Sequence, residues 1–594
     1  MDYGLPHAGS PVVTRGIPGD TIRFRTRRML GASPLPNMDN QRLFLFFALA
    51  LVLMLIWQAW EQEKAFGPGG TATPAPATAK MAPPAGSSPA AVPDLPQAPT
   101  STAAPNAGPA PATTEVLTRG SRLQVRTDLF DAVIDTHGGD LRELYLRQYP
   151  VELNKPDKPF PLMQETGDKL YVVQSGLIGS KDEYPNHKTI FTGVAESFIL
   201  ADGQDILRVP LSYRASNGVR YDKFYVFRRG SYVVNIEFQV KNLTQNEWAG
   251  YLYGQFQRGH VETGGFLTVI PSYTGGAIYT PENKYEKIPL DDMASKPLKR
   301  EVTGGWVAML QHYFVGSWLL PKDQRNEFYT MVLEGTRYVL GFKQVTPTQV
   351  APGATGVIGV NLYLGPKEHK ILKNLPEGMD LTVDYGLLTV ISAPLFWLLS
   401  AIHGLLGNWG WAIIVLTILI KAVFYPLSAK SYKSMAHMRK MQPRLQALKE
   451  RYGDDRQKLN QAMMELYKTE KINPLGGCLP IVVQIPVFIA LYWVLLESVE
   501  MRQAPWILWI KDLAAQDPYY ILPIIMGVSM FVQQKLNPQP VDPVQQKVFM
   551  VLPFMFTVFF LFFPAGLVLY WTVNNILSIA QQWRITRVVE GQAK

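Results

Sequence analysis

The stretch NWGWAIIVLTILIKAVFYPL, residues 408–427, decides the fold class of this chain. It is an apolar run of about 20 residues, the length that an α-helix needs to cross the hydrocarbon core of a bilayer. Lys421 interrupts this run, and a charged side chain at the centre of a bilayer costs about 2.5 to 3.5 kcal/mol on the insertion scale. Lys421 therefore reaches toward the interface, pairs with an acid inside a helix bundle, or lines a hydrated cavity where its charge is useful.

Other apolar runs of similar length predict a polytopic α-helical membrane protein with six transmembrane helices. Residues 38–62 form the first anchor, and five core spans lie within 408–584, at about 408–427, 475–496, 519–536, 547–563 and 566–584. The loop 428–474 carries eleven Lys and Arg against five Asp and Glu, which places it in the cytoplasm because positive residues concentrate on that side. Both termini are then cytoplasmic. The net charge of +9 follows this pattern, so we expect no specific nucleic acid as a ligand.

The chain between the anchor and the core changes composition twice. Residues 1–37 precede the anchor as an extension, and residues 63–115, rich in Ala and Pro, predict an extended linker. Residues 116–368 contain alternating segments such as SYVVNIEFQVKN (231–242), which predict an all-β sandwich in the periplasm. Residues 369–407 predict an amphipathic helix lying flat on the outer membrane surface. Residues 585–594 predict a short cytoplasmic tail.

The loop 428–474 has the periodicity of a helical hairpin. Apolar residues recur at spacings of three and four, and Asp454 in the turn is a candidate N-cap of the second helix. Methionines form the apolar stripe: Met435, Met438, Met441 and Met463. They either form the seam between the two helices or offer a pliable surface to varied polypeptides.

Polar residues recur at similar depth in the core spans. Besides Lys421 they are Thr417, Gln484, Ser529, Gln533, Thr557, Asn574 and Asn575. The spans contain no acid and no histidine in their interior, which weakens the ion-pair interpretation of Lys421. An intramembrane protease would need a Ser/His pair or two Asp residues there, so this class of enzyme is disfavoured. A hydrated, positively charged hollow open to the cytoplasm is favoured over a lysine that only reaches toward the interface. A solute transporter would need access from both sides and repeated halves, and the sequence indicates neither.

Several long runs resemble the YidC/Oxa1/Alb3 family of membrane protein insertases. They are INPLGGCLPIVVQIPVFIALYWVL (472–495), VEMRQAPWILWIKDLAAQDPYYILPIIMG (499–527) and FFPAGLVLYWTVNN (562–575). MDNQRLFLFFALALVLMLIWQAWEQ (38–62) is similar to the start of the Gram-negative form, so the resemblance covers nearly the whole chain from Met38. It implies a periplasmic β-supersandwich, an interfacial helix, and five core helices around a hydrophilic groove open to the cytoplasm and the lipid.

The resemblance also implies an activity and its residues. The expected activity is the insertion, folding and assembly of inner-membrane proteins, alone or with the Sec translocon (SecYEG and SecDF), and not an enzymatic reaction. The groove charge of the family, usually arginine, falls on Lys421, and the further groove positions are Thr417, Gln484, Tyr570 and Trp571. The implied partners are nascent membrane proteins and the lipid bilayer, whereas the short tail weakens an expected contact with the ribosome. No catalytic residue, metal site or cofactor is predicted.

Overall fold

The computed structural model describes residues 117–591 apart from 167–168, 180–182, 261–272, 334–336, 454, 471–478 and 538–542. The predicted extension 1–37, the anchor 38–62 and the linker 63–115 lie outside the described residues, as do residues 592–594 of the predicted tail.

Residues 122–366 fold into two sheets whose strands are antiparallel except for one parallel pair. Strand β10 shows why, since its alternating sequence places Val234, Ile236 and Phe238 inward with no exposed surface. The strands are β1 Arg122–Arg126, β2 Phe130–Asp135, β3 Asp140–Pro150, β4 Pro159–Met163, β5 Tyr171–Ile178, β6 Thr192–Gly193, β7 Ser197–Ile199, β8 Ile206–Arg214, β9 Arg220–Arg228, β10 Val233–Lys241, β11 Trp248–Gly259, β12 Gly275–Thr280, β13 Lys284–Ile288, β14 Lys299–Thr303, β15 Trp306–Leu310, β16 Phe314–Leu319, β17 Arg325–Leu333, β18 Arg337–Gln344, β19 Thr348–Val350 and β20 Thr355–Pro366.

The sheets pack face to face through aromatic side chains. The order β14-β17-β18-β11-β5-β3-β2-β1-β7 forms one sheet, with β19 on β11 and β4 on β3, and β13-β12-β15-β16-β20-β10-β9-β8-β6 forms the other. Trp318 of β16 contacts Phe342 of β18 and Phe256 of β11, with ring centroids 5.6 and 5.8 Å apart, so it joins the two sheets. The predicted all-β sandwich is confirmed.

Helices occupy most of the chain after the sandwich. In chain order they are α1 Asp292–Ser295, a single turn within the sandwich, then α2 His369–Leu372, α3 Thr389–Leu406, α4 Trp409–Val423, α5 Tyr425–Lys440, α6 Gln442–Tyr452, α7 Arg456–Thr469, α8 Leu479–Glu497, α9 Ile521–Leu536, α10 Pro543–Phe560 and α11 Ala565–Gly591. Each predicted core span overlaps one helix, in turn α4, α8, α9, α10 and α11. The count of six spans stays a prediction.

Several helix ends differ from the sequence prediction, and two of these differences have consequences for the fold. Helix α4 ends at Val423 rather than 427, and α5 follows at an angle of 68°. Pro426 lies in the first turn of α5, where a proline is accommodated. Inside a continuous helix its ring and its missing N–H would interrupt the preceding turn, so the break comes just before it, at Phe424. Helix α11 continues to Gly591, so most of the predicted tail is helical.

The loop 428–474 contains more helices than a simple hairpin. Helix α5 precedes a contacting pair, α6 and α7. The prediction of Asp454 as N-cap is wrong; that residue lies outside the described part, and the cap of α7 is Asp455, whose side chain accepts the N–H of Lys458 at 3.0 Å. The hairpin as a functional unit stays a prediction.

Helix α3 is the only single helix in the described part of the chain that is long and apolar enough to cross a membrane. The bent pair α4 and α5 would be a second candidate if counted as one span, and α8, α9 and α10 contain shorter apolar stretches. Helix α3 buries Phe396, Leu399 and Ile402 and contacts α4 and α8, while Trp397 on its other face is 66% exposed. Its predicted position flat on the membrane surface stays a prediction.

Candidate functional site

Helix α11 packs against several other helices of the bundle. It contacts α4, α5, α8 and α9, and its polar residues Asn574, Ser578 and Gln582 recur every four positions. Residues four apart lie on one side of a helix, so these side chains form a line along α11 within an otherwise apolar bundle.

Two neighbouring helices bring predicted residues to this line. The Nζ of Lys421 on α4 donates a hydrogen bond to Ser578 Oγ at 2.8 Å, and Ser578 Oγ donates to the carbonyl of Asn574 at 2.7 Å. The Nε2 of Gln484 on α8 donates to Asn574 Oδ1 at 2.8 Å. We call Lys421, Gln484, Asn574 and Ser578 the polar strip. It connects three helices by side-chain hydrogen bonds.

Lys421 is enclosed within the polar strip. Its side chain is only 6% exposed, although the sequence predicted a hydrated hollow. Lys421 forms no ion pair with any residue that the structure describes, and its hydrogen bond to Ser578 is to a neutral acceptor. The bundle therefore holds a basic group whose charge is not balanced by a neighbouring acid among those residues.

Three other predicted groove residues lie against the strip. Thr417, one turn before Lys421, is buried and donates to the carbonyl of Ile413 in its own helix at 2.7 Å. Tyr570 stacks on Phe488 of α8 with ring centroids 6.0 Å apart, and Trp571 meets the same ring edge-on at 4.5 Å. These aromatic contacts fix α8 against α11 beside Asn574.

The two predicted residues on α9 lie on another side of α11. Ser529 Oγ accepts a hydrogen bond from Asn575 Nδ2 at 3.1 Å, and Gln533 lies one turn further along α9 and is half-buried. Successive residues on a helix point about 100° apart, which explains why Asn574 and Asn575 face different neighbours. The predicted set therefore divides into two groups.

Sequence reasoning missed Ser578, the residue that holds Lys421. The sequence feature that could have identified Ser578 is its spacing of four residues from Asn574, because residues four apart lie on the same side of a helix. A serine inside an apolar helix is ordinary by composition, because its hydroxyl can bond to the carbonyl four residues earlier, as Ser578 does. Only the packing of α4 on α11 distinguishes it.

Helix α5 packs along the C-terminal half of α11. Ala436 of α5 forms a small apolar cluster with Ile585 and Val589, and Lys440 Nζ donates to the carbonyl of Val589 at 2.8 Å. Ser428 at the start of α5 is buried. Helix α5 therefore lies next to the end of the polar strip at Ser578.

The methionine stripe is only partly covered. Met441, between α5 and α6, is buried, whereas Met435, Met438 and Met463 are half-buried. Part of their apolar surface remains accessible, so neither of the two interpretations of the stripe is excluded.

The sandwich and the bundle meet at a buried ion pair. Lys367, directly after β20, donates to Glu497 Oε2 at the end of α8 at 3.4 Å and to the carbonyl of Thr382 at 3.2 Å. Burial lowers the pKa of Lys367, and the negative charge of Glu497 opposes this effect. His369 adds a contact from its Nδ1 to Glu500 Oε1 at 3.0 Å. The end of the sandwich is therefore attached to the bundle.

An all-β sandwich attached to a bundle of apolar helices with an enclosed lysine defines a class of integral membrane protein with a large extramembrane domain. A family model described as 60Kd inner membrane protein matches residues 401–592, and one described as YidC periplasmic domain matches residues 122–398. The chain belongs to the YidC family, as its sequence motifs predicted.

Curated relatives match over nearly their full length. The membrane protein insertase YidC of Thioalkalivibrio sulfidiphilus is 51% identical, over 94% of this chain and 100% of the relative. The protein of the same name from Nitrosococcus oceani is 50% identical, over 93% and 100%. That of Methylococcus capsulatus is 48% identical, over 93% and 99%.

Proposed function

We propose that this chain is a membrane protein insertase of the bacterial inner membrane, as its relatives are named. It performs no covalent chemistry on its clients, the membrane proteins that it inserts. Its task is to lower the barrier for moving a short polar segment of the client across the bilayer, where each unsatisfied polar group costs several kcal/mol.

The observation that carries this proposal is the polar strip. Gln484 and Asn574 offer amide groups to a polar client segment, and Lys421 offers a charge that no described acid neutralises. A client carboxylate that takes the place of Ser578 as the partner of Lys421 gains a charge-assisted hydrogen bond, which is roughly twice as strong as a neutral one. The apolar surfaces of α8 and α10 then lead the hydrophobic segment into the lipid.

Helices α5 to α7 act as the cytoplasmic element that receives the client and covers the strip. Their partly exposed methionines suit varied apolar sequences, because the unbranched side chain adapts its shape. Photocrosslinking residues placed at Met438 or Met463 should capture nascent chains during insertion. Crosslinks that form only to the protein's own helices would contradict the receiving role.

Finer features of the proposal follow the sequence and the family. The chain has six transmembrane helices with both termini in the cytoplasm, α3 lies on the periplasmic surface, and the sandwich is periplasmic. It works alone or with the Sec translocon.

The decisive experiment is reconstitution of the full chain in pure lipid vesicles with a small single-span client. Protected client should accumulate with the wild-type protein, and Lys421→Met should reduce it. The matched control is Lys535→Met, which removes an exposed lysine at the end of α9. No insertion by the wild-type protein, or equal loss in both variants, would overturn the proposal.

A further inference from the structure

A cavity of about 350 Å³ lies between the segment that leaves the sandwich and helix α3. One wall carries the charged side chains of Lys370, Lys373 and Asp380 beside Leu381 and Val383, and we call it the polar wall. The opposite wall, on α3, is mostly apolar, with Ala393 and Trp397 beside Thr389 and Ser400, and we call it the apolar wall. The cavity is distant in sequence from the polar strip and shares none of its residues. The role proposed for the polar strip therefore does not account for this cavity.

The polar wall carries two lysines that are available to a ligand. Lys370 and Lys373 are both exposed, and neither forms an ion pair with a residue in the described part of the chain. His369, at the inner end of this wall, is already held by Glu500 and stacks on Phe396 with ring centroids 3.7 Å apart. The polar wall is therefore held in place at His369 and presents two exposed cations and one carboxylate, that of Asp380.

The apolar wall continues beyond the cavity along α3. Val390, Trp397 and Leu405 are 85%, 66% and 87% exposed, and Ala393 and Ala401 lie on the same side of the helix. Such a row of exposed apolar side chains is unusual in contact with water but suits hydrocarbon. An exposed tryptophan, with an apolar ring and a polar N–H, favours the headgroup level of a bilayer.

We propose that this cavity binds one phospholipid of the outer leaflet, with its phosphate between Lys370 and Lys373 and an acyl chain along Trp397. A free phosphate would leave the apolar wall uncovered, and an apolar peptide would leave both lysines without partners. A phospholipid satisfies both walls at once. The bound lipid would fill the space between α3 and the segment 369–385, which links the sandwich to the bundle, and so hold them at a fixed distance.

Native mass spectrometry of the full chain in detergent tests this site without any client. Dioleoylphosphatidylglycerol and dioleoylphosphatidylethanolamine share the phosphate diester and should each show one tight binding event, whereas dioleoylglycerol, which lacks phosphate, should not. Each basic residue near an anionic lipid surface changes affinity roughly five-fold, so Lys370→Gln/Lys373→Gln should weaken binding about 25-fold. The control Lys296→Gln/Lys322→Gln removes two exposed lysines of the sandwich and should leave affinity unchanged.

Further variants separate the two walls and guard against misfolding. Lys370→Arg/Lys373→Arg should restore binding because it keeps the charges, and Trp397→Ser should weaken binding of the diacyl lipids but not of soluble glycerophosphate. Equal binding of dioleoylglycerol, unchanged affinity in the double glutamine variant, or inorganic phosphate binding as tightly as the lipids would each overturn the proposal. Client insertion is not part of this measurement, so its outcome is independent of the insertase assignment.

Discussion

Lys421→Ala should impair most strongly those clients whose translocated segment carries Asp or Glu. In the structure the Nζ of Lys421 has a neutral partner, Ser578 Oγ at 2.8 Å, and no described acid. A client carboxylate about 4 Å away would gain roughly 4 kcal/mol at an effective dielectric of 20, before the cost of desolvation is subtracted. If only about 1.4 kcal/mol remained, entry of an acidic segment would still change ten-fold.

The series of variants separates charge from hydrogen bonding. Lys421→Arg keeps a cation at the same depth and should be tolerated. Ser578→Ala removes the neutral partner but leaves the charge, so we expect a smaller effect that is the same for all clients. Lys421→Glu should repel acidic segments and give the largest defect with them.

The assay is protease protection of matched clients that differ only in an acidic, neutral or basic tail, inserted into vesicles that contain each variant. A lysine that merely reaches toward the interface would affect stability slightly and all clients alike. An equal response of the three tails to Lys421→Ala would therefore refute the charge-attraction mechanism, although the insertase assignment would stand.

Three other outcomes are expected. Replacing 116–366 by a short linker while keeping Lys367 should leave client insertion near the wild-type rate, because the polar strip lies wholly in the helices; a loss as complete as that from deleting α11 would contradict this. Lys367→Met should lower the free energy of unfolding by about 3 to 5 kcal/mol, because it leaves the Glu497 carboxylate buried without its lysine partner. Lys367→Met/Glu497→Gln should lower it less, and equal losses in the two variants would show that the pair is not coupled. Burial inside the sandwich lowers the pKa of Lys223 from 10.5 to about 7, although the negative charge of Asp140 opposes this effect. Between these two pH values the unfolded chain binds a proton that the folded chain has lost. The free energy of unfolding should therefore rise with pH by at most roughly 1.4 kcal/mol per pH unit. Lys223→Met should reduce this dependence of the unfolding free energy on pH, measured by thermal unfolding from pH 7 to 9. An unchanged dependence would show that other groups cause it.

Features that depend on local sequence were predicted well. Alternation in β10 and the apolar run around Lys421 specify a strand and a helix because neighbouring residues alone decide which side chains share a face. The helix ends were predicted less well. The break after Val423 and the cap at Asp455 depend on the geometry of one or two residues, which several adjacent positions in the sequence could satisfy equally.

The sequence by itself determined the class of this protein: apolar runs of membrane length, a β-rich domain between them, and one lysine placed where a bilayer makes charge costly. Tertiary structure decided which residues meet. It joined Lys421 to Ser578, which lie 157 positions apart in the chain. It placed Gln484 and Ser529 on different sides of α11, because they bond to the successive residues Asn574 and Asn575. It also attached the sandwich to the bundle through Lys367 and Glu497. The physical reason is that periodicity fixes the face of each helix, whereas the rotation and register of one helix against another follow from the packing of all their side chains together.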